Sequence, residues 1–233
     1  MKGNKKGRSN QFKSIAEEWL NDLKPQLKQS SISKYKSTIC LYLIPMFDDR
    51  TIESISYSEV YSFCMKLLKE GGSLQKGLSP KSVNGVLSVL RSIFTYARNN
   101  YGVPPPDITN IYVKQPVKSP PILSIEEQLT INTYLFKNLS PCNIGILLCL
   151  YTGIRIGEVC ALQWKDINIS EKSLYVHQAM QRIQVDDSNN QKKKTKIVIL
   201  PPKSTCSIRK IPIPDEMIAV LVPNNCEDDA FVL

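Results

Sequence analysis

The sequence predicts a mainly α fold with a small antiparallel β-sheet, built as a helical amino-terminal unit followed by an α+β unit. Three observations lead there. Apolar residues recur at helical spacing through the first hundred positions, β-type segments appear only from residue 173 onward, and the formal charge of +9 is unevenly spread. Residues 1–120 carry 18 Lys/Arg against 9 Asp/Glu, whereas residues 121–233 carry 12 of each. A basic module joined to a neutral one points to a polyanion-binding part attached to something with a different job. The length of 233 residues is enough for two ordinary domains.

The helices follow in order. Phe12, Ile15, Ala16, Trp19, Leu20 and Leu23 line one face of a first helix, which Lys24-Pro25 ends. A second is expected after Ser30/Ser31, turning Ile32, Tyr35, Ile39, Tyr42 and Leu43 inward and stopping before Pro45. Ser56 or Ser58 caps a third, with Val60, Phe63, Cys64, Leu67 and Leu68 facing the core and Gly71-Gly72 closing it. The fourth starts at Ser79 as N-cap and Pro80 at the first helical position, where a missing N–H costs nothing. Its stripe runs through Val83, Val86, Leu87, Leu90, Ile93, Phe94 and Ala97.

Polar residues suited to DNA lie on the same helices. Lys34 and Lys36 sit on the second, and Lys81, Asn84, Ser88 and Arg91 recur along the fourth at spacings of three and four. That spacing puts the last four on one face, able to present donors to phosphates or base edges. A solvated helix face has the same pattern, so the charge excess is what favours nucleic acid.

Residues 103–121 are proline-rich, with Pro104, Pro105, Pro106, Pro116, Pro120 and Pro121, and are expected to form a stiff linker. The boundaries are then 10–102 for the helical unit, 103–121 for the linker and 122–233 for the second unit. Ser124 with Glu127 three residues on makes a capping box. Helices near 124–138, 141–152 and 156–163 follow, then strands at 173–183, 196–200 and 208–213, with a polar hairpin loop at 186–194. Phe231-Val232-Leu233 is apolar and gives no closing turn, as though an element were cut there.

Several classes are disfavoured. No apolar run approaches the ~20 residues of a membrane span, and no apolar stretch follows the basic start to make a signal peptide, so a cytoplasmic location is expected. The seven cysteines are odd in number and scattered, without a C-x-x-C pair, and His177 is the single histidine. They are expected to be reduced, small core residues, with no metal site.

The most specific segment is YTGIRIGEVCALQWKDIN, residues 151–168. A helix reaches Thr152-Gly153, turns, and delivers Arg155 as a new helix begins, with Glu158 one turn later on the same side. An arginine in such apolar surroundings needs a partner. It is either a structural ion pair with Glu158 or a phosphate-holding fork that Glu158 fixes.

This segment resembles the first-arginine box of the tyrosine recombinase (phage integrase) family, T-G-[LI]-R-x-x-E-x-x-x-L-x-W-x-D-[IV]. Thr152, Gly153, Ile154, Arg155, Glu158, Leu162, Trp164, Asp166 and Ile167 match at the right spacing. Residues 202–213, PKSTCSIRKIPI, resemble the family's lysine-bearing β-hairpin, P-K-T-x-x-S-x-R-x-[IV]-P-[IL]; Lys203 falls on the lysine, and Ser204 replaces the usual threonine. The stretch from Ser79 to Ala97 is similar to the family's core-binding domain, so the resemblance spans about residues 10–233.

The resemblance implies a core-binding domain over 10–102 and the first half of an α+β tyrosine-recombinase catalytic domain over 122–233. It implies site-specific DNA recombination through a 3′-phosphotyrosyl intermediate, without ATP, metal or other cofactor. The implied partners are a double-stranded DNA recombination site and, for a full-length parent, a homotetramer on that DNA. Arg155 would hold the non-bridging phosphate oxygens, Glu158 would orient Arg155, and Lys203 would protonate the 5′-oxygen. The family's His-x-x-Arg is not found, since Gln178, Ala179 and Met180 follow His177, and no tyrosine of the ten has a nucleophile's context. The chain is therefore expected to bind DNA without cleaving it. Two alternatives stay open: a non-catalytic DNA-binding remnant or regulator, and a helical interaction protein unrelated to DNA.

Overall fold

A computed structural model of the chain describes residues 10–72, 76–117, 119–184, 195–202, 205–222 and 227–233. It divides into two compact units, Met1–Ser119 and Pro120–Leu233.

In the first unit, α1 (Phe12–Leu23) buries Phe12, Ile15, Ala16, Trp19 and Leu20. Its N-cap, Gln11, makes no side-chain capping bond. Chain from further on replaces the cap: the Phe12 N–H donates to the Arg50 carbonyl at 2.8 Å, and Ile52 N–H to Asn10 at 3.2 Å. Pro25 ends α1 in a 3₁₀ turn, Lys24–Gln26.

The second helix departs from the sequence expectation. It does not stop before Pro45; α2 (Gln29–Thr38) widens into a π-helical stretch, Ile39–Leu43, and runs on as α3 (Ile44–Phe47). A proline inside an α-helix leaves a carbonyl without its donor and crowds the preceding turn. The wider π turn relieves both, so Leu43 and Phe47 reach the core on a continuous path.

Helix α4 (Tyr57–Glu70) opens with a full capping box. Ser56 Oγ accepts from Glu59 N–H at 3.3 Å, and Glu59 Oε2 accepts from Ser56 N–H at 2.8 Å. Arg50 anchors the same carboxylate at 2.8 Å. Helix α5 (Pro80–Tyr101) begins at Ser79, whose Oγ accepts from Ser82 N–H, and ends at Gly102 with φ 69°, a left-handed cap that suits glycine. Phe12, Phe47 and Phe63 meet in sequence through this core, the first pair tilted and the second edge-to-face, neighbouring centroids 5.5 Å apart.

The proline-rich segment is not a free linker along its whole length. Val103, Ile108, Ile111 and Val113 are buried in the first unit's core. Widely spaced apolar residues between prolines lack periodicity, which is why the sequence reads as linker there.

The second unit starts with α6 (Ile125–Lys137), opened by the expected Ser124–Glu127 capping box. Helix α7 (Pro141–Thr152) buries Ile144, Leu147 and Leu148 and ends at Gly153, φ 67°. A short α8 (Ile156–Val159) follows. The sheets are antiparallel: β1 (Ile167–Asn168), β2 (Ser173–Val176) and β5 (Arg209–Pro212) in one, β3 (Ala179–Gln184) and β4 (Thr195–Leu200) in the other. The single expected strand at 173–183 is thus two strands, broken at His177-Gln178 and assigned to different sheets. Helix α9 (Asp215–Leu221), which periodicity over so short a span did not reveal, buries Met217, Val220 and Leu221. The expected hairpin loop at 186–194 lies outside the described residues.

Residues 227–233 run beside 162–165. Trp164 N–H donates to Ala230 at 3.0 Å and Lys165 N–H to Asp228 at 2.9 Å, while Val232 N–H donates to Leu162 at 3.0 Å and its side chain is buried. Leu233 lies so close to Gly145 that a Cβ there would sit 2.5 Å from it. Of the six described cysteines only Cys64 is fully buried; Cys40, Cys142 and Cys206 are exposed, against the expectation of core placement. Burial pushes the Cys64 thiol up to about 11, so it stays protonated and unreactive. Among the described residues no helix is long and apolar enough to cross a membrane.

Candidate functional site

The residues of the Thr152–Ile167 segment that match the arginine box have separate physical tasks. Thr152 closes α7, its hydroxyl donating to the Leu148 carbonyl. Gly153 takes the left-handed conformation that turns the chain, and Ile154 is buried. Arg155 is then the N-cap of α8 in extended geometry. Leu162 and Trp164 enter the core. Asp166 accepts from Gln163 N–H at 3.1 Å and meets His177 Nε2 at 2.9 Å, and Ile167 begins β1. His177, expected as a strand residue, lies in the break between β2 and β3, stacked on Tyr175 with centroids 5.3 Å apart.

Glu158 is the centre of the site. It is the buried partner, 5% exposed, whereas the Arg155 side chain is 73% exposed. Despite the apolar residues around it in sequence, Arg155 is not buried, because the left-handed turn at Gly153 swings it outward at the helix start. Glu158 Oε2 accepts from the Arg155 backbone N–H at 2.9 Å and Oε1 from Arg155 Nη1 at 3.0 Å. A second arginine, from β5, completes the arrangement. Arg209 Nη2 donates to Oε2 at 2.8 Å and Nη1 to Oε1 at 3.2 Å, a bidentate fork. Nη1 also reaches the Ser207 carbonyl at 3.0 Å.

Burial alone would raise the Glu158 carboxyl, but hydrogen bonds from Arg209 and from the Arg155 backbone and side chain outweigh it and hold it at about 2. The same partnership raises Arg209. The site therefore holds a carboxylate between two guanidinium groups, one of them open to solvent. Such an exposed fork, oriented from behind, is able to take up a phosphate or other oxyanion. Sequence reasoning missed Arg209 as a site residue, although it stands in the quoted 202–213 pattern. Its signal is long-range, since 51 positions separate it from Glu158. Lys203 lies outside the described residues.

The six candidate DNA-contacting residues fall into different surroundings. Lys34 and Lys81 are exposed and line one cleft between α2 and α5, with Thr38, Tyr42, Ser82 and Gly85. A Cβ on Gly85 would meet nothing within 4 Å, so the cleft is open there. Lys36 lines a separate recess with Glu17, Asn21 and Lys24. Ser88 is exposed on α5.

Asn84 and Arg91 hold the chain after α5. Asn84 Nδ2 donates to the Val113 carbonyl at 2.7 Å while its Oδ1 accepts from Val113 N–H at 3.0 Å, so the amide imitates a β-bridge partner. The Arg91 guanidinium donates to the carbonyls of Ile108, Thr109 and Ile111. Asn84→Ala leaves the N–H and C=O of the buried Val113 without partners and is expected to destabilise the first unit by about 1–3 kcal/mol. Urea denaturation checks this; a change below about 0.5 kcal/mol would show the bonds to be dispensable.

The profile described as "Phage integrase, N-terminal SAM-like domain" matches residues 11–68, and "Phage integrase family" matches residues 122–215. A "Tyrosine recombinase XerC-like" protein of Caldanaerobacter subterraneus subsp. tengcongensis is 28% identical over 182 residues, covering 72% of this chain and 46% of the relative. The ICEBs1 integrase of Bacillus subtilis is 24% identical over 229 residues, covering 93% of this chain and 55% of the relative. The chain thus spans about half the length of both relatives. Among solved structures, the Tn1549 transposon integrase in complex with a circular intermediate DNA has a TM-score of 0.71 at 16% identity, covering 91% of this chain and 66% of that one. A lambda integrase tetramer bound to a Holliday junction has a TM-score of 0.58 at 20% identity, covering 81% and 49%. At these identities the likeness concerns the fold.

Proposed function

Because the chain belongs to the tyrosine recombinase (phage integrase) family, we propose that it binds a double-stranded DNA recombination site and contributes part of a strand-cleaving centre. The observation that carries this reading is the exposed Arg155 fork backed by the buried Glu158. In this reading Arg155 holds the non-bridging oxygens of the scissile phosphate, Glu158 orients it, and Lys203 protonates the departing 5′-oxygen. The boundaries proposed are a core-binding domain at 10–102, a joining segment at 103–121 and catalytic-domain residues from 122. In this reading none of the ten tyrosines is the nucleophile of a 3′-phosphotyrosyl link, and the single histidine, His177, opens no His-x-x-Arg. The active assembly is a homotetramer of the complete recombinase on DNA, acting in the cytoplasm without a cofactor.

Lys34 and Lys81 support DNA binding by sharing one cleft in the basic half of the chain. Lys36 from a separate recess and Ser88 on α5 are further proposed contacts, as are Asn84 and Arg91, which also clasp residues 108–113. Duplex affinity is expected to fall steeply with salt, because bound lysines release counterions from phosphates. Replacing Lys34 and Lys81 together with glutamine should reduce the slope of log K against log salt by about 2. Fluorescence anisotropy over a salt series decides it: salt-insensitive binding favours a helical interaction protein. Covalent trapping of a suicide substrate by the purified chain would overturn the missing-nucleophile reading.

A further inference from the structure

We propose that Arg209 is a positioning residue that neutralises Glu158, leaving Arg155 free to act as a net cation toward a phosphate. The inference rests on the reading of Arg155 as the phosphate-holding group.

The argument is one of charge. Arg155 paired with Glu158 alone would be a closed, neutral ion pair, with little attraction for an anion. Glu158 is needed nonetheless, because its two oxygens cap the start of α8 and fix the Arg155 fork. Arg209 resolves the conflict. Its guanidinium takes both Glu158 oxygens from the β5 side, at 2.8 and 3.2 Å, so the three charged groups sum to one positive charge.

Exposure decides where that charge is felt. The Arg209 side chain is 29% exposed and committed to the carboxylate and to the Ser207 carbonyl. Arg155 is 73% exposed, and among the described residues only its Nη1 is engaged on the side chain. The surplus is therefore presented to solvent by Arg155. Arg209 touches no substrate in this arrangement; it works through Glu158.

The test titrates inorganic phosphate at low ionic strength into the 233-residue chain, read at the Arg155 Nε–Hε resonance by NMR. Arg209→Gln is expected to weaken phosphate binding about tenfold, the effect of roughly 1.4 kcal/mol of lost attraction at this range. Arg209→Lys keeps the charge and should stay within about threefold of the unmodified chain. The decisive variant is Arg209→Gln with Glu158→Gln, which restores the single positive charge while keeping an acceptor for the helix cap. It should recover to within about threefold. A purely structural ion pair predicts the opposite, because the double variant lacks both partners. Binding as weak in the double variant as in Arg209→Gln, or unchanged in Arg209→Gln, overturns the proposal. If the Arg155 Nε–Hε resonance of the unmodified chain does not respond to phosphate, the phosphate reading of Arg155 falls first, and this inference with it.

Discussion

Glu158→Ala is expected to destabilise the second unit by about 3–5 kcal/mol, the effect of breaking a buried charge pair from one side. Three groups lose their acceptor together: the Arg209 fork, the Arg155 side chain and the Arg155 backbone N–H. Arg209, its side chain 29% exposed, is then left with the Ser207 carbonyl in place of a carboxylate. Glu158→Gln keeps the shape and one good acceptor, so its loss should be smaller. Chemical denaturation gives the size, and hydrogen exchange at residues 155–160 gives the place. A loss under about 1 kcal/mol would show that the pair is solvated and worth little, as surface ion pairs are.

The same group gives stability a pH dependence. Its folded-state pKa of about 2 lies below the ordinary 4.5, because the hydrogen bonds from Arg209 and Arg155 outweigh burial. A depressed carboxyl stabilises the fold fully above its unfolded value, and the contribution disappears as protons bind the folded state. The stability difference between the unmodified chain and Glu158→Gln should therefore be constant above pH 4.5 and shrink as pH falls toward 2. A difference that grows on acidification would reverse the assignment.

Phe12→Ala is expected to cost the first unit about 3–5 kcal/mol. Phe12 is fully buried at the start of α1 and meets Phe47, which in turn meets Phe63. Removing the first ring opens a cavity that two neighbouring rings cannot fill without leaving their rotamers, and loosens the helix start that Arg50 caps. Hydrogen exchange should rise across α1 and near Arg50 while residues 155–160 keep their protection. Loss of protection at both places would show that the units do not open separately.

Local sequence signals specify the structure where local forces set it. Ser79-Pro80, the Ser56–Glu59 and Ser124–Glu127 boxes, and Gly153 act within one helical turn, so residue order is enough to place them. The mainly α class with small antiparallel sheets and the family's arginine box were legible for the same reason. Helix continuation through Pro45 was not, because the π-helical relief depends on what Leu43 and Phe47 gain by reaching the core.

Within the site, the sequence by itself determined Arg155, Glu158 and the bend between α7 and α8. Tertiary structure decided which member of that pair is buried, that Arg209 shares the carboxylate, and that Asn84 and Arg91 clasp the chain at 108–113. The division has one physical cause. Caps, turns and helical stripes depend on neighbours a few residues away, whereas the shared carboxylate and the clasp depend on groups that folding brings together from 20 to 51 positions apart.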